Sequence, residues 1–484
     1  MLSRFFKLRE HNTTVSREIL AGVTTFAAMA YALTVNPSIL AGAGMDKAAL
    51  VTITALSAAA ATVLMALISN YPLAMAPGMG INAMFTYTIC QEMRTPWPDA
   101  LGMVFVNGVI FFALSATNVR ARIVEAIPYS MKIAITCGIG FFIAFLGLQK
   151  GGIVVRNPDT ILAVGDFASG PVALCLGGLA LTTLLVARRV PGAIIIGVIA
   201  TTVAGAFVPA GGMAGGMGVM GDMGGMGNMG NVAGAAGVAG MAGAGGAGAR
   251  ALMVTHLDLA GARWLPASPA PHFLKLSFHF LTSWRAFVGA LPVILTLLMI
   301  SMFDSIGTLI GVSKRAGLLD ANGRLPRINR AFYADSIAAT LSALLGTSTV
   351  VSYAESASGV EVGGRTGLTG VTVAALLLLA LFLTPLILCI PDVAVAPALI
   401  VVGIFMMQSA LEIDMRDFVN AAPAVLTIMA IPLTFSISNG IGVGILAFVI
   451  ISFFAGRARS ISLAGYVIAA MFFLKFFHIF PFGN

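Results

Sequence analysis

The chain has 484 residues, of which 58% are apolar and only 10% charged, and its mean hydropathy is +0.98. Soluble domains are about 45–50% apolar and about 25% charged, so this composition excludes a water-soluble globular domain and predicts a chain that spans a bilayer. The net charge of +8 would fit nucleic-acid binding, but basic cytoplasmic loops explain it better, and we expect no nucleic-acid partner.

Residues 1–18 are polar and basic, and the first apolar run begins near Ile19. This pattern predicts a cytoplasmic N-terminus followed by a retained anchor, not a cleavable signal peptide. Fourteen apolar runs follow, and each is predicted as a transmembrane span. The predicted spans are 19–40, 50–70, 75–91, 99–119, 131–149, 171–187, 191–209, 287–312, 329–345, 347–360, 367–390, 394–411, 420–437 and 439–455. The C-terminal apolar segment 457–484 contains a further apolar stretch at 461–481, which fits an interfacial helix or an extra span.

The distribution of basic residues predicts the orientation. With the N-terminus inside, 18 of the 27 Lys and Arg residues fall in cytoplasmic loops and 8 in outer loops, and Lys475 is left in the C-terminal stretch. Four of the eight lie in one long loop, which the positive-inside rule weights weakly. We therefore predict a multi-pass protein of the bacterial inner membrane.

The long outer loop, residues 211–285, contains a Gly/Ala/Met-rich insert at 211–250. So much glycine predicts a flexible linker. Capture of Cu(I) by the methionine thioethers is an alternative that we disfavour. The four cysteines lie in or at the ends of apolar runs, so we predict no metal site and no cofactor.

Seven predicted spans precede this loop, in residues 19–210, and seven follow it, in residues 286–456. An odd number per half predicts two repeats of inverted topology, as in many secondary transporters. Spans 3 and 10 are the least regular, since YPLAMAPGMGINAMFTYT (71–88) and LLGTSTVVSYAESASGV (344–360) open with Pro, Gly and small residues. Broken helices at matching places predict a ligand site, because unpaired backbone groups are tolerated only beside a cavity. The alternative is that Pro and Gly only permit close helix packing.

Three acidic residues lie well inside apolar spans: Asp304, Asp335 and Glu355. An ionisable group at membrane depth is costly and is a functional candidate by default, as a ligand partner or proton carrier. The alternative is a structural acid bonded to a hydroxyl or a backbone N–H. Asn82 can donate and accept hydrogen bonds at once, which suits a purine edge. Phe85 and Tyr353 could stack on a base or serve only as apolar filler.

Three motifs carry a resemblance to a known family: APGMGINAMF (76–85), MFDSIGTLIGVSKRAGLLDANGRLPRINRAFYADS (302–336) and GTSTVVSYAESASGVEVGGRTGLTG (346–370). The chain resembles, from about Arg17 to Arg459, the AzgA-type purine permeases, the hypoxanthine/guanine/adenine branch of the nucleobase–cation symporters. Two departures stand out. Relatives often read Asp-Leu-Phe-Asp where this chain has Ser301-Met302-Phe303-Asp304, which leaves the preferred purine open. The insert at 211–250 is also foreign to the family.

The resemblance implies the fourteen-span, all-α fold of uracil and xanthine transporters. Spans 1–4 and 8–11 would form a core domain, and spans 5–7 and 12–14 a gate domain, in a homodimer. A purine nucleobase would bind between spans 3, 8 and 10, enter with a proton, and move with the core as it slides against the gate. Family positions carry over onto Asn82, Asp304, Asp335 and Glu355, and Ser301 is a further candidate contact.

An anion transporter or channel on the same fold is the alternative function. Three buried acids, with no Lys or Arg in predicted spans 3, 8 or 10, argue against it. An enzyme is not expected, because no nucleophile–base pair is apparent and GVEVGGRTGLTG lacks the spacing and the lysine of a phosphate-binding loop.

Overall fold

The computed structural model describes residues 2–116, 128–157, 160–209, 253–255, 264–318, 325–326, 328–458, 461 and 463–477. Most of them are helical, because a helix pairs its own backbone N–H and C=O groups and so tolerates hydrocarbon. The helices of the first half are α1 (Leu2–Phe5), α2 (Val15–Met29), α3 (Ala32–Leu40), α4 (Lys47–Ser69), α5 (Met79–Ala83), a π-helix (Met84–Glu92), α6 (Trp97–Ala116), α7 (Tyr129–Lys150), α8 (Gly170–Ala187) and α9 (Ala193–Gly205).

The second half repeats this pattern of long helices around one interrupted segment. Its helices are α10 (Trp284–Arg315), α11 (Ile328–Leu345), α12 (Ser356–Val362), α13 (Gly367–Ala380), α14 (Thr384–Leu388), α15 (Asp392–Met407), α16 (Phe418–Leu433), α17 (Ile437–Phe454) and α18 (Leu463–Phe476). Short 3₁₀ turns extend some of these helices or cap a loop, at Ala41–Ala43, His279–Leu281, Leu381–Leu383 and Gln408–Glu412.

Nine helical stretches in the described part of the chain are long and apolar enough to cross a bilayer. They coincide with predicted spans 1, 2, 4, 5, 6, 8, 11, 12 and 14. Helices also occupy spans 7, 9 and 13, whereas spans 3 and 10 are interrupted. The chain is therefore a multi-pass helical protein, and the count of fourteen crossings stays a prediction. The insert at 211–250 lies outside the described residues.

Polar residues set where the long helices begin and end. The Asp46 carboxylate accepts from the backbone N–H of Ala49 at 2.7 Å and so starts α4, which stops at Asn70 in the left-handed region (φ 58°). At span 1, the Thr14 hydroxyl caps the N-terminus at Arg17 N. For this reason α2, the first helix of span 1, begins at Val15, earlier than the predicted apolar boundary near Ile19.

Two small antiparallel sheets depart from the all-α prediction. The predicted spans are called segments 1–14 from here on. Strand β1 (Met75–Pro77) in segment 3 pairs with β4 (Val350–Ser352) in segment 10, in the register Met75↔Ser352, Ala76↔Val351 and Pro77↔Val350. Strands β2 (Val154–Asn157) and β3 (Ile161–Val164) form a hairpin between α7 and α8. The first pairing arises because the extended openings of both broken segments must satisfy their backbone groups, and each does so on the other.

Small residues allow the helices to approach closely. Gly140 of α7 faces Gly403 of α15, and a Cβ added at Gly403 would collide with the carbonyl oxygen of Gly140. Bilayer helices associate through such contacts, because lipid supplies no hydrophobic force between apolar surfaces. Larger side chains fill the space between the broken segments and their neighbours, with Phe85 and Phe142 fully buried in one continuous apolar cluster.

Glu18, at the start of α2, is a fully buried acid that the sequence reading left among the polar N-terminal residues. Its carboxylate accepts from the backbone N–H groups of Arg365 (2.9 Å) and Thr366 (3.2 Å). It also accepts from the Thr369 hydroxyl at 2.6 Å. One carboxylate thus satisfies the unpaired N–H groups at the entry to α13 and joins segment 1 to segment 11.

Candidate functional site

Segments 3 and 10 cross at the short strands β1 and β4, each of which lies at the start of its segment and precedes a helix. Beyond the β1–β4 pairing, Gly78 N donates to Thr349 O at 3.1 Å and Tyr353 N donates to Ala74 O at 2.9 Å. These bonds extend the pairing by one residue at each end, so that α5 begins beyond one end of the strand pair and α12 begins beyond the other. The crossing is where the sequence predicted a ligand site, and four of the predicted site residues lie on these two segments.

Asn82 links the two broken segments through its side chain. It is fully buried on α5, and its Oδ1 accepts a hydrogen bond from the Ser348 hydroxyl. Its Nδ2 donates weakly to the Met79 sulfur at 3.8 Å. These two contacts fix the orientation of the Asn82 amide. Its oxygen is engaged by Ser348, and one of its two N–H groups remains for a further acceptor. The structure therefore places Asn82 at the crossing, as predicted, and adds Ser348.

Glu355 lies at the start of α12 and is half-buried. Its Oε1 accepts a hydrogen bond from the hydroxyl of Tyr31, which lies between α2 and α3 and is 1% exposed. Tyr353 is also buried, and its hydroxyl donates to the carbonyl oxygen of Pro77 at 3.1 Å. The two tyrosines therefore differ in role, because one binds the carboxylate and the other binds the backbone of segment 3.

Asp304 lies midway along α10 and is half-buried, like Glu355. Its carboxylate is close enough to those of Glu355 and Asp335 to interact electrostatically with both. The structure thus places near one another acids from segments 8, 9 and 10, the first and last of which are 51 positions apart in sequence. Acids from three consecutive segments at membrane depth are costly, which makes the group a candidate for a functional role.

The other predicted site residues lie at the edge of this group. Asp335 is fully buried and accepts from the Ser352 hydroxyl of β4 at 3.2 Å, behind the strand. Ser301 donates to Leu297 O at 2.8 Å and accepts from the Asn107 amide of α6 at 3.4 Å, so its hydroxyl is engaged away from the crossing. Phe85 is fully buried in the apolar cluster, one turn after Asn82.

Tyr31 and Ser348 are the two site residues that the sequence reading missed. Tyr31 stands in an apolar stretch, FAAMAYALTV (26–35), where an aromatic residue is routine. The signal that could have singled it out is Pro37, which removes a helical N–H and lies inside α3, close to the interruption of segment 1. Ser348 lies in the Gly-Thr-Ser-Thr run before β4, where each polar residue looks alike in sequence.

In the described ranges, no cluster of three or more His, Cys, Asp or Glu side chains is arranged to hold a metal ion. The polar groups that the sequence predicted for this region are an amide, from Asn82, and two carboxylates, from Glu355 and Asp304.

Comparison with known proteins identifies the family. The profile named Xan_ur_permease, which describes a Permease family, matches residues 16–443. The chain is 36% identical over 475 residues to the adenine permease AdeP of Escherichia coli, covering 98% of this chain and 96% of that protein. It is 37% identical over 484 residues to the guanine/hypoxanthine permease PbuG of Bacillus subtilis, covering 98% and 99% of the two chains.

Among solved structures, the transmembrane domain of a cyanobacterium bicarbonate transporter, BicA, aligns with a TM-score of 0.61 at 16% identity, covering 87% of this chain and 96% of that chain. At this identity the likeness shows the fold alone. The family match and the relatives confirm the resemblance predicted from the motifs, and they confirm that the protein is a transporter and not an enzyme. The chain belongs to the Permease family, as a multi-pass membrane protein whose relatives include adenine and guanine/hypoxanthine permeases.

Proposed function

We propose that this protein takes up purine nucleobases across the bacterial inner membrane together with a proton. The observation that carries the proposal is the pairing of segments 3 and 10, with the Asn82 amide on the helix that follows β1 and the Glu355 carboxylate after β4. A purine edge alternates hydrogen-bond donors and acceptors, and an amide N–H from one segment with a carboxylate from the other would complement such an edge. Relatives named for adenine and for guanine/hypoxanthine support this substrate class.

The proposed role of each residue in purine binding follows from the hydrogen-bonding group that its contacts within the protein leave available. Asn82 presents an N–H to a ring nitrogen or carbonyl, since Ser348 engages its oxygen. Glu355 keeps one carboxyl oxygen for the purine, since Tyr31 occupies the other. When ionised, that oxygen accepts from a ring N–H, and when protonated it donates to a ring nitrogen or carbonyl oxygen. Asp304 supplies a second acceptor. We propose that Phe85 and Tyr353 flank the purine ring. We propose that Ser301 lies behind the binding site and affects its shape.

We assign proton coupling to the three acids of segments 8, 9 and 10. We propose that Glu355 carries the proton, with Asp304 as an electrostatic partner and Asp335 behind β4 as a third member. Protonation would neutralise the group before it moves with its ligand, and an uncharged group crosses a bilayer at far lower cost.

The transport cycle is proposed to be elevator-type, within fourteen spans arranged as two inverted repeats, 19–210 and 286–456. A core of spans 1–4 and 8–11 would slide against a gate of spans 5–7 and 12–14, with residues 1–18 cytoplasmic and 211–285 outside. Within the proposed gate, Lys150 Nζ lies 3.4 Å from Asp392 Oδ1. Ser38 of the proposed core bonds to both, because its carbonyl oxygen accepts from Lys150 Nζ at 3.3 Å and its hydroxyl donates to Asp392. We propose that the two bonds of Ser38 hold the core to the gate at the outer end in an outwardly closed state. A homodimer is proposed from the resemblance alone.

An uptake panel tests the substrate and the driving force. Radiolabelled adenine, hypoxanthine, guanine, xanthine, uracil, bicarbonate and sulfate are offered to a bacterium that lacks its own purine permeases and expresses the chain. We expect accumulation of one or more of the first three, rising as external pH falls and abolished by a protonophore. Uptake that depended on sodium alone would overturn the proton assignment. Uptake of an anion without any purine would establish the alternative function, which the carboxylates at the site disfavour.

Two substitutions at Glu355 separate ligand binding from proton coupling. Glu355→Gln keeps the side-chain size and most hydrogen bonds but cannot titrate, so binding to the purified protein should persist while accumulation against a gradient is lost. Glu355→Asp keeps the acid but withdraws it by one methylene. A hydrogen bond to a charged group is worth about 1.5–3 kcal/mol, so its misplacement should weaken apparent affinity about tenfold or more. Wild-type accumulation by Glu355→Gln would make Asp304 the lead candidate for the proton.

A further inference from the structure

Tyr31 reaches Glu355 from a part of the chain 324 residues away. Its hydroxyl donates to Oε1 of the carboxylate, and its ring is 1% exposed. We infer that Tyr31 is a positioning residue that orients the Glu355 carboxyl group and, by donating to it, sets the external pH below which the protein takes up its substrate. This inference rests on the proposed proton symport and goes beyond it, because it assigns the control of coupling to a residue of segment 1.

The backbone of segment 1 holds Tyr31 in place. Helix α2 ends at Met29 and α3 begins at Ala32, so Tyr31 lies in the interruption between them. Its carbonyl oxygen accepts from Thr34 N at 3.0 Å, from the Thr34 hydroxyl at 2.8 Å and from Val35 N at 2.9 Å. A side chain fixed at its backbone and packed on all sides presents its hydroxyl in one direction, which is the condition for a positioning role.

Other groups that face Glu355 do not offer the same bond. Tyr353, on its own segment, commits its hydroxyl to Pro77 O at 3.1 Å. Asp304, from α10, is an acceptor and repels the charged carboxylate, and Asp335, behind β4, acts on Asp304. Within the described residues, Tyr31 is thus the one hydroxyl that donates to the Glu355 carboxylate.

The direction of the effect follows from the donor. A hydroxyl that donates to a carboxylate stabilises the charged form and opposes the repulsion from Asp304, so Glu355 gives up its proton more readily. Without the hydroxyl, Glu355 would hold its proton to higher pH. A hydrogen bond to a charged group corresponds to a shift of about one to two pH units.

The experiment measures uptake of the transported purine against external pH for the full chain and for Tyr31→Phe. We expect the midpoint of the pH profile to rise by about one to two units, with transport persisting at alkaline pH where the wild type has ceased. Tyr466→Phe is the matched control, since it removes a tyrosine hydroxyl that donates to Ala458 O at 3.1 Å in the C-terminal segment. That variant should keep the wild-type profile.

A second variant guards against misfolding of Tyr31→Phe. Site-specific 3-fluorotyrosine at position 31 keeps the ring and hydroxyl but donates more strongly, so it should move the midpoint in the opposite direction, to lower pH. An unchanged midpoint in both position-31 variants, with the wild type transporting a purine, would overturn the role of Tyr31 alone. Absence of purine uptake by the wild type would instead remove the proposed function.

Discussion

The bond network of Glu18 gives a stability prediction whose size can be worked out from the structure. The carboxylate is fully buried and accepts from Arg365 N, Thr366 N and the Thr369 hydroxyl at 2.9, 3.2 and 2.6 Å. In Glu18→Ala the two backbone N–H groups lose their acceptor, whereas the hydroxyl can rotate. An orphaned buried donor costs about 1–3 kcal/mol, so the loss is about 2–6 kcal/mol. In Glu18→Gln one oxygen is retained and the amide N–H₂ opposes the other donor, so the loss is about 1–3 kcal/mol.

The assay is thermal unfolding of the purified chain in one detergent, with the order wild type, Glu18→Gln, Glu18→Ala from most to least stable. Glu10→Gln serves as the control, because Glu10 is exposed and its bond to Lys7 at 3.1 Å joins two solvated side chains. Surface pairs of this kind contribute about 0–1 kcal/mol. If Glu18→Ala unfolds at the wild-type temperature, the buried carboxylate does not stabilise the junction of segments 1 and 11, and the reasoning fails.

Three further predictions concern other polar contacts. His272, in the loop before α10, accepts from Asp46 N at 3.0 Å, and burial lowers its pKa below the usual 6.5. The stability of the protein should therefore be full above about pH 6.5 and fall as the pH drops through the lowered pKa. His272→Phe should flatten this dependence in melting curves recorded at several pH values. Ser348→Ala should weaken purine binding about two- to tenfold in equilibrium binding, because the Asn82 oxygen loses its donor; unchanged affinity would refute that orientation. Asp392→Asn should cost under about 1 kcal/mol in thermal stability, because Asp392 is 42% exposed, and the difference should shrink with added salt.

The sequence predicted the parts of the site that have a local signature. Pro, Gly and small polar residues inside apolar runs marked both broken segments, and both are interrupted by strands in the structure. An acid within an apolar run is equally visible, and Asp304 and Glu355 do lie within electrostatic reach of each other. Asn82 could be proposed as a site residue for the same reason, because it is a polar amide within the first broken segment.

Residues whose importance comes from a distant partner were not predictable in this way. Tyr31 binds Glu355 and Glu18 binds the entry of α13, each across more than 300 residues. Hydropathy classed Tyr31 as apolar filler and Glu18 as part of the polar N-terminus, because neither stands out from its neighbours. The β1–β4 pairing was missed for a related reason, since each strand is only three residues long and each pairs solely with a partner from the other half.

Strands β1 and β4 pair through main-chain atoms, so side-chain substitutions leave their register in place. The spacing of the two segments is therefore maintained by main-chain atoms, and the side chains at positions 82 and 355, which follow the paired strands, can be exchanged without rebuilding the pairing.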